Sequence, residues 1–137
     1  MKNYIILFIV VMFGAVSQAQ KTPIKVVFDV TSSNVDVHKS AARHLRLMSE
    51  SYPDSEFELV VYSSAYAMVD NNSSSAGETL RKIVNNKNVS IVVCENTLKR
   101  NKKGKDDLIP GVTTVPDGIY EIVIKQQQGW GYIKEGK

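Results

Sequence analysis

Cysteine is almost missing from this 137-residue sequence, in which Cys94 stands alone. A single thiol excludes an intramolecular disulfide framework and any zinc site built from several thiolates. Charge of one sign is also lacking. Seventeen Lys and Arg stand against fourteen Asp and Glu, for a net charge of +3, whereas nucleic-acid binders concentrate basic charge on one face. There is no Gly-rich phosphate loop, no Gly-x-Ser-x-Gly elbow and no internal repeat. Nucleotide and hydrolase readings therefore have no residues to stand on. His38 and His44 are six apart, on different faces of a helix, where metal pairs prefer three or four. Both read as surface histidines, and no metal site is expected. What remains is ordinary globular composition, 43% apolar and 23% charged, which disfavours disorder, collagen and coiled coil and suits one domain.

The amino terminus reads as a targeting segment. Lys2 precedes the apolar stretch Tyr4–Val16, which ends in Ser17-Gln18-Ala19 with small residues at the two positions a signal peptidase reads. A spanning helix needs about 20 apolar residues, so no stable membrane anchor is expected. No cysteine follows the stretch to take a lipid. Residues 1–19 are therefore expected to be a signal peptide cleaved after Ala19, and 20–137 a single domain in the periplasm or secreted. Exported proteins usually pair their cysteines, which makes Cys94 a buried inert thiol, an intermolecular bond or a reactive site.

Ile24–Val30 is a β-branched apolar run of strand length, too continuous for a sheet with one wet face. Val37, Ala41, Leu45 and Met48 then recur at helical spacing, with Ser33 and Asp36 as the expected capping pair and Tyr52-Pro53-Asp54 as the stop. Phe57, Leu59 and Val61 alternate with Glu56, Glu58 and Val60 as a second strand. Ser75 and Glu78 are spaced as a capping box before Leu80, Ile83 and Val84, and Val89–Cys94 is another buried-type strand. Strand, helix, strand, helix, strand predicts a parallel sheet covered on both faces. The last third is ambiguous by pattern. Val112–Val115 and Trp130–Lys134 suit short strands, while Ile119–Lys125 suits either a strand or a helix capped by Asp117 and left at Gly129.

Cys94 ends its strand, and in open parallel sheets ligands bind beyond the strand carboxyl ends. A thiol there faces the next helix start at Asn96-Thr97, whose positive end favours thiolate. By pattern alone it more readily reads as one more small apolar residue finishing a buried strand. The basic run Lys99-Arg100-Asn-Lys102-Lys103-Gly-Lys105 reads as a solvated loop, as a docking patch for an acidic partner, or as a field acting on Cys94. Asp29 ends the first strand without a second acid spaced to pair with it. Trp130 and Tyr132 suit either a packed terminal strand or a subunit interface.

Three blocks together resemble the DsrE/DsrF-like family. They are Cys94-Glu-Asn96-Thr97-Leu98, then Val112-Thr-Thr-Val115-Pro116-Asp-Gly118-Ile-Tyr-Glu121, then Gln126-Gln-Gln128-Gly129-Trp130-Gly-Tyr132-Ile133. The order and spacing match, and the resemblance covers essentially Ile24–Lys134. It implies a three-layer α/β/α domain with a mostly parallel five-stranded sheet, assembled as a homo-oligomer. It also implies that Asp117–Gln128 is a helix and Trp130–Lys134 the last strand. Sulfur-relay relatives carry a persulfide on a strand-end cysteine, and Cys94 is the matching position. Asn96, Thr97, Gly118, Glu121, Trp130 and Tyr132 are the supporting or binding positions within the shared blocks. The family often has a glycine-bearing turn after its second strand, where this chain reads Tyr62-Ser63-Ser64.

Two functions follow as expectations. One is a persulfide carrier in which Cys94 is the nucleophile, a sulfur-donor or thiol-bearing protein is the partner, and no metal or organic cofactor is needed. The other is a non-catalytic oligomeric binding module whose crevice at the strand carboxyl ends is lined by Cys94.

Overall fold

The computed structural model describes residues 22–136, so the expected signal peptide and its cleavage site lie outside the described residues. Five strands are present: β1 (Lys25–Val30), β2 (Glu56–Val61), β3 (Val89–Cys94), β4 (Thr113–Val115) and β5 (Gly131–Glu135). Four α-helices accompany them: α1 (Val35–Ser51), α2 (Gly77–Ile83), α3 (Glu95–Arg100) and α4 (Gly118–Gln127). The strands lie in the order β4-β3-β2-β1-β5, and every pairing is parallel. The expected three-layer α/β fold is therefore present, and the ambiguous Ile119–Lys125 segment is helix.

Strand order decides which helix covers which face. From β1 through β4 the chain steps one way along the sheet, and the last crossover reverses past β1 to reach β5. Right-handed crossovers then put α1, α2 and α3 on one face and α4 on the other. The cores agree. Val26, Phe28 and Val30 of β1 pack with Leu45 of α1, Leu80 of α2 and Leu98 of α3. Their opposite-facing neighbour Val27 packs with Val60, Val92 and Ile122 of α4. Phe28 and Phe57 meet at 6.5 Å between ring centroids, a tilted contact typical of packed aromatics.

Local signals were right about elements and wrong about two caps. Asn34, not Ser33, caps α1, its Oδ1 accepting from the Asp36 N–H at 2.8 Å. The Ser75–Glu78 box does not form. Helix α2 starts one residue later than that box requires, with Ala76 at the cap position and no side-chain cap. Ser74 instead accepts from the Ala76 N–H at 3.2 Å and donates to the Met68 carbonyl, so the serine hydroxyl shapes the loop rather than the helix end. At the other end of the chain, Asp117 caps α4 as expected, accepting from Ile119 and Tyr120, and Gly129 leaves the helix at φ +86°. Among the described residues, no helix is long and apolar enough to cross a membrane.

Candidate functional site

Cys94 pairs with Val115 at the carboxyl edge of the sheet. After Cys94 the chain turns into α3 on one face, and after Val115 it turns into α4 on the other. Neighbouring strands whose outgoing chains part to opposite faces leave a crevice between them, the usual ligand position in open α/β sheets. Cys94 stands at that topological position. It is 6% exposed, and its Sγ lies 4.0 Å from the carbonyl oxygen of Pro116. Gly118, the first residue of α4, makes the close fit. A Cβ there would lie 3.2 Å from Tyr62 and 3.3 Å from the Cys94 Cβ. A side chain there would require Tyr62 or Cys94 to give by a few tenths of an ångström, so glycine lets α4 begin this close to both without a shift.

Tyr62 is placed by an unusual turn. The next residue, Ser63, has φ +57°, a left-handed conformation that favours glycine. Its N–H donates to Thr97 Oγ1 at 3.0 Å, which holds the turn against α3. The chain thus keeps the backbone shape of a glycine turn while using serine. Strain of this kind persists only where the surroundings impose it, and here they surround the crevice.

A polar network adjoins the thiol on the same sheet face. Buried Asp29 accepts from the Tyr132 hydroxyl at 2.6 Å and from Lys134 Nζ at 2.9 Å. Lys134 also donates to Thr31 Oγ1 at 2.7 Å and lies 5.8 Å from the Tyr62 ring centroid. Burial pushes the Tyr62 phenol up to about 12, with the negative charge of Asp29 adding to it and Asp117 and Cys94 contributing further. Tyr132 is raised to about 12, first by its hydrogen bond to Asp29 and then by burial. Both phenols are therefore O–H donors at neutral pH. Protonated phenols and one internally balanced ion pair thus lie on the same side of the sheet as the thiol.

The structure separates the other expected residues. Thr97 is fully buried and serves the Ser63 turn, whereas Asn96 is exposed. Gly118 touches Cys94, and Tyr132 belongs to the Asp29 network. Glu121 and Trp130 are elsewhere, gathered around Lys125 at 3.6 Å and 4.3 Å. From the basic run, Lys103 goes to Asp70 and Asp107 at 3.3 and 3.5 Å. The ion pairs of that run thus lead away from the crevice. One expectation is corrected outright. His38 is not a surface residue but buried, its Nε2 2.6 Å from the Ser32 carbonyl oxygen, because α1 turns that position onto the β1–α1 loop. His44 is half-exposed and pairs with Glu135 at 2.9 Å. Among the described residues no group of three His, Cys, Asp or Glu is placed to hold a metal ion.

Asp29, Tyr62 and Lys134 were the site residues that sequence reasoning missed. Asp29 was seen as an acid without an acidic partner, but its partners are a phenol and an ammonium from β5, more than a hundred residues away. The available signal was register: an acid inside a buried β1 requires a donor on an adjacent strand.

Neither a protein-family model nor a curated protein matches the sequence. Solved structures do match. MTH1491, a protein of unknown function from Methanobacterium thermoautotrophicum, superposes with a TM-score of 0.74 at 25% identity, over 81% of this chain and 98% of its own. The ychN protein from E. coli gives 0.65 at 13% identity, over 82% and 99%, respectively. BT1422, a conserved protein of unknown function from Bacteroides thetaiotaomicron, gives 0.60 at 14% identity, over 80% and 93%. All three are similar to this chain in fold across nearly their whole lengths.

Proposed function

We propose that this chain is an exported DsrE/DsrF-like protein that carries sulfane sulfur on Cys94. The observation that carries the reading is the position of the thiol, in the crevice where β3 and β4 send their chains to opposite faces, with Gly118 drawing the start of α4 against it. The Cys94 thiolate attacks the outer sulfur of a donor persulfide. The donor S–S bond breaks, its electron pair leaves with the donor thiolate, and a new S–S bond forms on Cys94. An acceptor thiolate then takes the outer sulfur by the same displacement and restores Cys94. The sulfur changes carriers without an external oxidant, and neither metal nor organic cofactor enters.

The working form is a homo-oligomer in the periplasm or outside the cell. Helix α4 turns Gly118 and Ile122 inward and leaves Ile119 and Tyr120 62% and 66% exposed, with Val123 beside them. Such a contiguous apolar stripe suits subunit contact, and Trp130, half-buried beneath Lys125, is not part of it.

Incubation with a persulfide donor, followed by intact-mass measurement, tests the carrier reading. One sulfur mass is expected on the native protein and none on Cys94→Ser. A native protein that never gains sulfur under conditions where free cysteine does overturns it. One observation favours a second reading, a ligand-binding crevice merely lined by Cys94: the thiol's low exposure beside a satisfied Asp29–Tyr132–Lys134 network. Under that reading Cys94→Ser retains all binding and the native thiol stays unreactive.

A further inference from the structure

The same sheet face carries a second feature at its other end, far from the strand carboxyl ends and unused by the sulfur-carrier reading. A cavity of about 240 Å³ opens at the amino-terminal ends of β2 and β3, with Glu56, Glu58, Lys87, Ser90, Lys125 and Trp130 in its wall. Glu58 is 4% exposed. Lys125 Nζ binds its Oε2 at 3.0 Å, reaches Glu121 at 3.6 Å and lies 4.3 Å from the Trp130 ring centroid. Glu58 Oε1 has no hydrogen-bond partner, the only buried side-chain oxygen or nitrogen so left among the described residues.

An acceptor left unmatched in a protein interior is costly, and such exceptions ask for an explanation. The charges of the wall supply one. Glu56 is already bound by Lys25 at 2.8 Å, and Lys125 is taken by Glu58 and Glu121. Lys87 enters no ion pair with the described residues. After internal pairing the wall therefore offers one carboxylate oxygen and one ammonium. A matching ligand carries both signs, an ammonium for the first and an anion for the second. The last torsion of a glutamate is soft, so a modest rotation turns Oε1 into the cavity. The space lies below the roughly 300–1,000 Å³ of pockets that hold drug-sized ligands, so it suits a small ligand rather than a large cofactor.

We propose that this cavity binds a small zwitterion of the amino-acid class, with its ammonium on Glu58 Oε1 and its carboxylate on Lys87. The site is independent of Cys94. Burial pushes the Glu58 carboxyl up, Lys125 opposes the rise and the neighbouring Glu121 carboxylate adds to it, so a bound ammonium supplies further counter-charge to this pair of acids.

Titration calorimetry on the mature protein at neutral pH tests the proposal, with L-alanine as the probe and methylamine and acetate as single-ended controls. Saturable alanine binding is expected, with each control at least about tenfold weaker. Glu58→Gln should weaken alanine by about tenfold or more, the scale of a lost charge-assisted hydrogen bond. Lys87→Met, at the exposed end, should weaken it about threefold with the fold retained by circular dichroism. Cys94→Ser should bind alanine as the native protein does, which keeps the outcome separate from the sulfur chemistry. The proposal is overturned by an absence of saturable alanine binding, by methylamine binding as tightly as alanine, or by a Glu58→Gln protein that binds alanine unchanged. Should Glu58→Gln not fold, the native comparison of alanine with methylamine and the Lys87→Met result decide.

Discussion

The two faces of the sheet are built by different rules. Under α1, α2 and α3 the strands present an unbroken apolar layer, from Val26, Phe28 and Val30 through Phe57, Leu59 and Val61 to Ile91 and Val93. Under α4 the apolar patch shrinks to Val27, Val60, Val92 and Ile122. Around it the same strands bury Asp29, Glu58 and Cys94. One face has three helices to exclude water, the other a single ten-residue helix, and the buried polar groups of the strands gather under the thinner cover. The main apolar core and the proposed sites thus occupy opposite sides of the same strands, because alternate residues of a strand point to opposite faces.

The largest effect should come from the apolar face. Phe28→Ala removes a fully buried ring from the main core and should destabilise by about 3–5 kcal/mol in denaturant unfolding. A loss below about 1 kcal/mol there would break the division between the faces. On the α4 side, Asp29→Asn keeps the shape but removes the charge that Tyr132 and Lys134 address. A cost of about 1–3 kcal/mol is expected, the scale of an impaired buried charge-assisted bond.

Acid titration sharpens the contrast, because two buried carboxylates respond in opposite senses. Burial alone would raise Asp70, but the Tyr66 hydroxyl and the Asn72 and Ser73 N–H groups hold it well below its ordinary 3.8. The folded state therefore prefers the ionised form. That stabilisation is present above pH 3.8 and is lost as pH falls toward the depressed value. Glu58 is raised above its ordinary 4.5, mainly by burial. The folded state holds its proton longer than the unfolded chain, so its contribution favours folding below pH 4.5 and is lost as pH rises through the raised value. Asp70→Asn should flatten the acid limb of stability against pH, and Glu58→Gln should make the protein relatively more stable at neutral pH than at pH 4. Parallel curves for the two variants would contradict this account.

The smallest effect on stability, and the clearest on assembly, is expected from Tyr120→Asp. Its side chain is exposed on α4, so the monomer fold should change within about 0.5 kcal/mol. Sedimentation should show the proposed oligomer shifted to monomer. An unchanged oligomer would move the subunit contact away from α4.

Much of this division was legible in the sequence. Continuous apolar strands and helical spacing in Val37, Ala41 and Leu45 give the layers, because burial on both faces leaves no polar alternation. The α4 segment was ambiguous by pattern because Ile119 and Val123 lie outside the core, so its apolar residues do not follow one buried stripe. Cys94 was visible as a strand-end thiol. The Asp29–Tyr132–Lys134 network was not, since parallel β1 and β5 meet only after the final crossover. Burial of His38 escaped for a related reason: its partner is a backbone carbonyl, which leaves no mark on side-chain spacing.

The account rests most directly on the state of the Cys94 thiol in the folded protein. Alkylation by iodoacetamide, followed against time with and without denaturant, measures it. A working thiol should be modified in native protein within about tenfold of the denatured rate despite its low exposure, and prior sulfur loading should block the reaction until a reductant is added. A thiol silent in native protein and modified only on unfolding would contradict the claim that the thinly covered face is where this protein works through Cys94.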